Sequence, residues 1–211
     1  MQTPDVTGCD HKHDRAQLER MAFFSDAVFA IALTLLVVEV KLPHIPRMDD
    51  ALLAHALLTL LPSYIGFLVS FLVLARFWVS HHLTLGELRA TSPMLMWANL
   101  FLLLAVAFTP FPTAIVAEYA QLRVGVGLYA LWLILLGMLN HRIIRLAIRH
   151  PELRRDGASE VTLAPSRRAS WIPVLIGGLA FVTGMIAPLA AVVVLAVGSP
   201  IITYSLRRRT R

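Results

Sequence analysis

Residues 21–40 read MAFFSDAVFAIALTLLVVEV, a stretch in which Asp26 and Glu39 are the only charged side chains. An α-helix of about 20 apolar residues spans the hydrocarbon core of a bilayer, which is roughly 30 Å thick. Lys41 and Pro43 follow the stretch, and a charge and a proline are typical of the end of such a helix. The stretch therefore predicts a membrane-spanning helix.

Comparable apolar runs continue along the chain. Residues 171–206 carry no charge over 36 residues, which is too long for one span. Pro188 lies near the middle of this run, so we expect two short helices there, and Pro62 predicts a kink in the second helix. The six predicted helices cover about residues 21–40, 52–79, 94–117, 122–145, 171–187 and 188–206.

The expected fold class is an all-α membrane protein, and the composition agrees with it. Hydrophobic residues make up 57% of the chain and charged residues 15%, whereas a soluble domain carries about a quarter charged residues. We expect residues 20–206 to form a six-helix transmembrane domain. Residues 1–19 would be a cytoplasmic N-terminal tail, and residues 207–211 a basic cytoplasmic C-terminus.

The distribution of positive charge predicts the orientation. With six spans, 16 of the 19 Lys and Arg residues fall on the side that holds both termini, whereas five spans would give 12 against 7. Because Lys and Arg concentrate on the cytoplasmic side of membrane proteins, we expect six spans with both termini in the cytoplasm. The net charge of +6 then reflects lipid anchoring, and no nucleic-acid partner is expected.

Motifs typical of enzymes do not occur in the sequence. It contains no P-loop, no dinucleotide-binding glycine pattern, no H-E-x-x-H pair and no G-x-S-x-G turn, which are the patterns that position phosphates, zinc or a nucleophile. The single cysteine, Cys9, lies in the polar N-terminal region and is expected to be incidental. We therefore expect no enzymatic activity, no cofactor and no resident metal.

Asp26 is an ionisable group about one and a half turns inside the first apolar run. Such groups are costly in lipid, so they face protein or water and have a partner. With six spans, the polar groups at the end of the second helix and the start of the third lie at the same membrane depth as Arg20, Ser25 and Asp26. These groups are Trp78, Ser80, His81, His82, Trp97 and Asn99. We predict one polar network there that joins the first three helices. Anchoring at the membrane interface remains an equal alternative for each histidine.

The first helix also carries an apolar stripe with one polar member. Its residues are spaced i, i+3, i+4 and i+7: Ile31, Thr34, Leu35 and Val38. At 100° per residue, Asp26 projects roughly 140° away from Ile31. One side of the helix is thus able to face a symmetry axis while the other is held within its own subunit. Packing against lipid or within a bundle is the commoner meaning of such a stripe.

Residues 20–26 fit the pattern R-x-x-x-F-S-D at the start of the first of six helices. Together with the histidine pair at 81 and 82 and the Trp-Ala-Asn at 97–99, this pattern resembles the signature of the endosomal and lysosomal potassium-channel family in its short prokaryotic form. The resemblance is sharp over the first half of the chain. The last two helices match only in length and hydrophobicity.

The resemblance implies a homotetramer whose first helices line a central pore in the prokaryotic inner membrane. It assigns the constriction to Ile31, further apolar rings to Leu35 and Val38, and a polar ring to Thr34. The residues implied to hold this helix in place are Arg20, Phe24, Ser25, Asp26, His81, His82, Trp97 and Asn99.

The function implied by the resemblance is passive conduction of potassium. K+ and other monovalent cations would pass through the pore as transient occupants, and the lipid bilayer and other copies of the chain would be its partners. Since the sequence lacks the T-V-G-Y-G loop that supplies a carbonyl filter, we expect only modest selectivity for K+ over Na+.

The main alternative is a proton-coupled membrane carrier that relays protons through Asp26 and the pair His81 and His82. Carriers usually bind their substrate near the middle of the membrane, whereas these groups are expected near one face. A membrane enzyme or scaffold is a third possibility, but no arrangement of nucleophile, base and orienting group is visible.

Overall fold

A computed structural model describes the backbone of residues 6–209 and the side chains of residues 14–198. Within the described backbone the chain forms nine α-helices and two short 3-10 helices. The α-helices are α1 (Val6–Leu35), α2 (Asp50–Thr59), α3 (Leu61–Gly86), α4 (Pro93–Phe108), α5 (Pro110–Glu118), α6 (Arg123–Arg149), α7 (Glu160–Ala169), α8 (Trp171–Ile186) and α9 (Pro188–Arg209).

Five helical segments in the described part of the chain are long and apolar enough to cross a membrane. They are Asp14–Glu39, Leu61–Gly86, Pro93–Glu118, Arg123–Arg149 and Glu160–Ile186. The sixth predicted span, 188–206, lies partly outside the residues whose side chains are described. Residues 1–13 of the predicted tail and the predicted C-terminus, 207–211, lie wholly outside them.

Two of the predicted spans each occur as a pair of helices. The helix predicted over 52–79 is α2 and α3, with a break at Leu60 just before Pro62. The helix predicted over 94–117 is α4 and α5, with a break at Thr109 before Pro110. Proline lacks the N–H that an inner helical turn requires and its ring clashes with the preceding turn, so each break falls beside a proline.

The linker between the fourth and fifth predicted spans contains a helix that the sequence did not predict. Helix α7 begins with a capping box, in which the Ser159 side chain accepts from the N3 backbone and the Thr162 hydroxyl accepts from the Ser159 N–H. Leu163 is buried and attaches this otherwise polar helix to the bundle. A capped first turn and one buried leucine are enough for a helix of this length when it packs on a core.

The loops that follow α3 and α6 are joined at one end of the bundle. The Arg89 N–H donates to the Leu153 carbonyl at 2.8 Å and the Arg155 N–H donates to the Glu87 carbonyl at 3.1 Å. The Arg155 guanidinium also lies 2.7 Å from the Glu87 carboxylate. These contacts hold the end of α3 against the segment that leads into α7.

Helices α6 and α8 approach each other closely through glycines. A Cβ added at Gly177 would lie 2.8 Å from the Ala130 carbonyl oxygen and 2.7 Å from Ile134 Cγ1. A Cβ added at Gly137 would lie 2.7 Å from Val174 Cγ2. Small residues at helix contacts are typical of membrane bundles, because close backbone approach supplies the packing energy there.

Gly177→Ala should push α6 and α8 apart, because the new methyl group meets a backbone carbonyl that cannot rotate away. We expect a loss of stability of about 1–3 kcal/mol, measured as a lower melting temperature of the purified protein in detergent. The control is Gly178→Ala, where a Cβ meets nothing within 4 Å. Equal melting temperatures for the two variants would contradict the close approach.

Candidate functional site

One face of α1 is completely buried. Ser25 and Phe29 of α1 have no exposed surface, and Ala32 is 1% exposed. Leu36, in the 3-10 turn Leu36–Glu39 that continues α1, is also fully buried. These positions follow one another at helical spacing, so they form a single stripe. The stripe packs against α3 and α4, which positions α1 by its rear face.

The opposite face of α1 is open. On α1, Ile31 is 59% exposed, and Thr34 and Leu35 are exposed as well. Val38, in the 3-10 turn Leu36–Glu39 that continues α1, is 68% exposed. The Thr34 hydroxyl donates to the Ile31 carbonyl at 2.8 Å, which leaves the oxygen lone pairs available on the open side. The four residues of the stripe identified in the sequence therefore share a surface that nothing in the described chain covers.

The buried face of α1 is tied to two other helices by a chain of hydrogen bonds. The His81 ring nitrogen Nε2 lies 2.7 Å from Asn99 Oδ1, so the ring donates from this atom. Asn99 Nδ2 donates to Ser25 Oγ at 2.9 Å, and Ser25 Oγ donates to the Met21 carbonyl at 2.8 Å. His81, Asn99 and Ser25 are at most 1% exposed. Buried polar groups paired in this way specify one arrangement of the three helices.

Asp26 makes a separate contact beside this chain. Its Oδ1 accepts from Trp78 Nε1 at 2.8 Å and lies 3.7 Å from His82 Nδ1. The Trp78 and His82 rings also contact each other, with centroids 5.5 Å apart. The Asp26 side chain is 34% exposed. Asp26 is therefore anchored to α3 by an indole and an imidazole, while part of its carboxylate remains accessible.

Trp78 is a member of this site that the sequence places at the depth of Asp26 but does not assign to the residues that hold the helix. It precedes His82 by four residues on α3, so the two side chains lie on the same face. An indole N–H is a hydrogen-bond donor that needs a partner when its ring is embedded in a bundle. The four-residue spacing of Trp78 and His82 is the sequence feature that would have identified Trp78 as a partner of Asp26. It places an indole N–H donor beside the histidine expected near Asp26.

Three residues of the predicted network lie outside it in the chain. Phe24 is 53% exposed and Trp97 is 63% exposed, and the Arg20 side chain is exposed too. Among the side chains that the structure describes, Arg20 makes no hydrogen bond or ion pair. Arg20 and Phe24 precede Ile31 by eleven and seven residues, which places both on the open face of α1.

A second polar cluster lies among α3, α5 and α6. Ser70 Oγ is 2.9 Å from Tyr129 Oη and 3.0 Å from Thr113 Oγ1, and all three residues are buried. Thr113 Oγ1 is also 2.9 Å from the Thr109 carbonyl, at the break between α4 and α5. The sequence did not predict this cluster, because isolated hydroxyl residues in apolar runs carry no periodic signal.

The described residues contain no group of three or more His, Cys, Asp and Glu side chains that is able to hold a metal ion. The polar side chains near α1 form hydrogen-bonded pairs that join neighbouring helices. Their arrangement can hold a helix in place, and the open stripe of α1 can line a passage if copies of the chain assemble around it.

The amino-acid sequence matches the family model described as endosomal/lysosomal potassium channel TMEM175 over residues 20–110. A potassium channel of Chamaesiphon minutus is 42% identical over 120 residues, which are 56% of this chain and 59% of that protein. A potassium channel of Streptomyces collinus is 43% identical over 102 residues, 48% of each. The chain thus spans about half the length of the curated relatives it matches.

The fold is similar to a solved structure along nearly its whole length. The crystal structure of a lysosomal potassium-selective channel TMEM175 homolog from Chamaesiphon minutus matches with a TM-score of 0.77 and 31% sequence identity. The match covers 91% of this chain and 98% of that one. The similarity therefore includes the second half of the bundle, beyond the residues that the family model matches.

Asn99→Ala should weaken the attachment of α1, because it leaves the His81 donor and the Ser25 hydroxyl without their shared partner inside the bundle. We expect a loss of about 1–3 kcal/mol, measured by thermal unfolding in detergent. Met96→Ala, one turn away on the exposed face of α4, serves as the control. If both variants unfold at the wild-type temperature, the hydrogen-bonded chain does not hold the helix.

Proposed function

This chain belongs to the endosomal/lysosomal potassium channel TMEM175 family, and from that premise we propose that it is a potassium-permeable cation channel. The relatives it matches are named as channels, so the expectation that the chain is not an enzyme agrees with the family. The observation that carries the proposal is the open stripe of α1, which lies opposite the buried, hydrogen-bonded face of the same helix.

The assembly we propose is a homotetramer in which four copies of α1 surround a central pore. Supporting this, the open stripe is apolar except for Thr34, and its helix is held from behind by α3 and α4. Ile31 would form the constriction, and Leu35 and Val38 would form further apolar rings. Rings of apolar side chains in a narrow pore exclude water and so set the barrier to conduction.

We propose that the selectivity of the pore for K+ over Na+ is modest. Four Thr34 hydroxyls would offer oxygens to a partly dehydrated ion, but no ring of backbone carbonyls would replace its hydration shell. Potassium would pass ahead of sodium mainly because K+ sheds water at lower cost. The network around Ser25 and Asp26 would not touch the ion, since it lies on the other side of the helix.

The topology we propose has six spans, with α2 joined to α3, α4 joined to α5, and α9 as the last. Both termini would lie in the cytoplasm of a prokaryotic cell, with the Lys and Arg excess on that side. Residues 1–19 would be the N-terminal tail, residues 20–206 the channel domain and residues 207–211 the basic C-terminus. Arg20, on the open face of α1, would then stand at the cytoplasmic entrance of the pore.

Purified protein in liposomes should release K+ down its gradient, and Ile31→Ala should raise that flux. The smaller side chain widens the narrowest ring and lets water enter, so we expect an increase of roughly three- to tenfold, equivalent to about 1 kcal/mol off the barrier. Leu175→Ala, on the exposed face of α8, should leave the flux unchanged. Wild-type protein that is folded but gives no flux would overturn the channel proposal, and an unaltered Ile31→Ala flux would remove this residue from the constriction.

The response of cation uptake to a pH gradient distinguishes a channel from a proton-coupled carrier. For a channel, a pH gradient imposed without a K+ gradient should drive no cation uptake when the membrane potential is held at zero. Asp26→Asn keeps an acceptor for Trp78 and should leave K+ flux within about threefold, a change of less than 1 kcal/mol. Uptake that follows the pH gradient and disappears in Asp26→Asn would establish a carrier instead.

A further inference from the structure

Helix α6 presents one row of side chains to its surroundings along its whole length. The members of this row, called the α6 stripe below, follow one another at alternating steps of four and three residues, so they lie on a single face. They are all exposed or half-buried: Val124, Leu128, Leu131, Leu135, Met138, Arg142, Arg145 and Arg149. The opposite face, with Val126, Leu133 and Ile144, is buried in the bundle.

The chemistry of the α6 stripe changes once, between Met138 and Arg142. Its members from Val124 to Met138 are all apolar, and those that follow are all arginines. Val124 and Arg142 are 18 residues apart, which corresponds to about 27 Å along a helix. The hydrocarbon core of a bilayer is about 30 Å thick. The apolar part of the stripe therefore matches the hydrocarbon, and the arginines begin where the hydrocarbon ends.

The three arginines lie at the depth of the lipid headgroups. Arg145 is about 4.5 Å and Arg149 about 10.5 Å farther along the helix axis than Arg142. The polar region of a bilayer is roughly 5–8 Å thick on each side. Arg142 and Arg145 thus fall within that layer, and Arg149 lies at its outer edge, where α6 ends.

These arginines have no counter-ion within the described part of the chain. Helix α6 contains no Asp or Glu, and none of its three stripe arginines makes a hydrogen bond or an ion pair with a residue that the structure describes. Other arginines do have such partners, since Arg89 lies 3.3 Å from Asp156 and Arg167 lies 3.1 Å from Glu160. The positive charge of the α6 stripe is therefore available to a partner outside the chain.

A phospholipid with a net negative charge is the partner that matches both parts of the stripe. A guanidinium pairs with a phosphate through two parallel hydrogen bonds, and the attraction of basic residues to a membrane rises with its negative surface charge. The apolar residues next to the arginines, Leu131 and Met138, are both about half exposed and continue into the hydrocarbon on the same face. Acyl chains would contact them, whereas a soluble anion would leave them unused.

We propose that Arg142, Arg145 and Arg149 form a binding surface for anionic phospholipids. The lipid phosphates pair with the guanidinium groups, and the acyl chains lie along the apolar part of the stripe from Met138 towards Val124. The proposal requires only that α6 crosses the membrane. It does not depend on conduction, on the number of spans or on which helix lines a pore.

The test is a competition between two lipids for the delipidated full-length protein in a maltoside detergent. Equal amounts of phosphatidylglycerol and phosphatidylcholine with the same acyl chains are added, and the lipid that stays with the repurified protein is quantified by mass spectrometry. We expect phosphatidylglycerol to exceed phosphatidylcholine at least about fivefold. Equal retention of the two lipids would overturn the proposal.

A soluble analogue distinguishes a lipid surface from a general anion site. Phosphatidylglycerol should raise the melting temperature of the protein, because a ligand that binds the folded state stabilises it. Glycerol 3-phosphate at the same concentration carries the phosphate without acyl chains and should leave the melting temperature unchanged. An equal shift with glycerol 3-phosphate would contradict binding of a lipid along the stripe.

Three double variants locate the surface. Arg142→Gln with Arg145→Gln removes two stripe charges from exposed positions, so the fold should persist and the ratio of retained lipids should fall about fivefold. Arg142→Lys with Arg145→Lys keeps the charge and should retain most of the preference. Arg47→Gln with Arg123→Gln changes the net charge equally but lies before α2 and at the start of α6, and it should behave as the wild type does.

Three results would contradict the proposal. A loss in the Arg47 and Arg123 variant as large as in the Arg142 and Arg145 variant would mean that the lipid responds to net charge alone. An equal loss in the lysine variant would mean that the charge of the stripe does not bind the lipid. A change in the number of chains per particle on removal of the stripe arginines would mean that the stripe faces another copy of the chain.

Discussion

The bundle depends on the need of polar groups within a membrane helix to find hydrogen-bond partners in the protein. Lipid offers none, so each unsatisfied group costs several kcal/mol. In α1 this constraint acts on Ser25 and Asp26, which are adjacent and point in different directions. Ser25 is joined to Asn99 of α4, and Asp26 to Trp78 of α3. Two partners on two helices fix the rotation of α1 about its own axis.

The orientation of the open stripe follows from that rotation. With Ser25 and Phe29 buried, helical periodicity leaves Ile31 on the opposite side, whatever covers it in the assembled protein. A conduction pathway lined by apolar side chains offers no strong contacts that would hold its wall in place. The wall must therefore be held from behind, and hydrogen bonds between buried polar groups do so without placing charge in the pathway.

Hydropathy and motif predicted much of this structure, and the family resemblance seen in the first helix is confirmed. Single apolar runs gave the positions of the membrane segments, because length and hydrophobicity are local properties. Of the two breaks in these segments, the one before Pro62 was predicted only as a kink. Helix α7 was missed, because its cap is Ser159 with a threonine at N3 in place of Glu or Gln.

The composition of the polar network was harder to predict than its existence. Arg20 and Phe24 belong to the same motif as Ser25, yet helical periodicity places them on the open face. Trp78 has no motif to mark it, but its position relative to His82 brings it to Asp26. The face of a helix on which a residue packs depends on the partners that neighbouring helices offer. Those partners cannot be identified from a single sequence.

The most direct measurement is a cryo-EM structure of the full-length protein in lipid nanodiscs. The account predicts four chains around a central axis, with Ile31 of each α1 nearest to that axis and the pair of Asp26 and Trp78 turned away from it. A structure in which α1 lies on the lipid-facing rim, or in which another helix surrounds the axis, would contradict it.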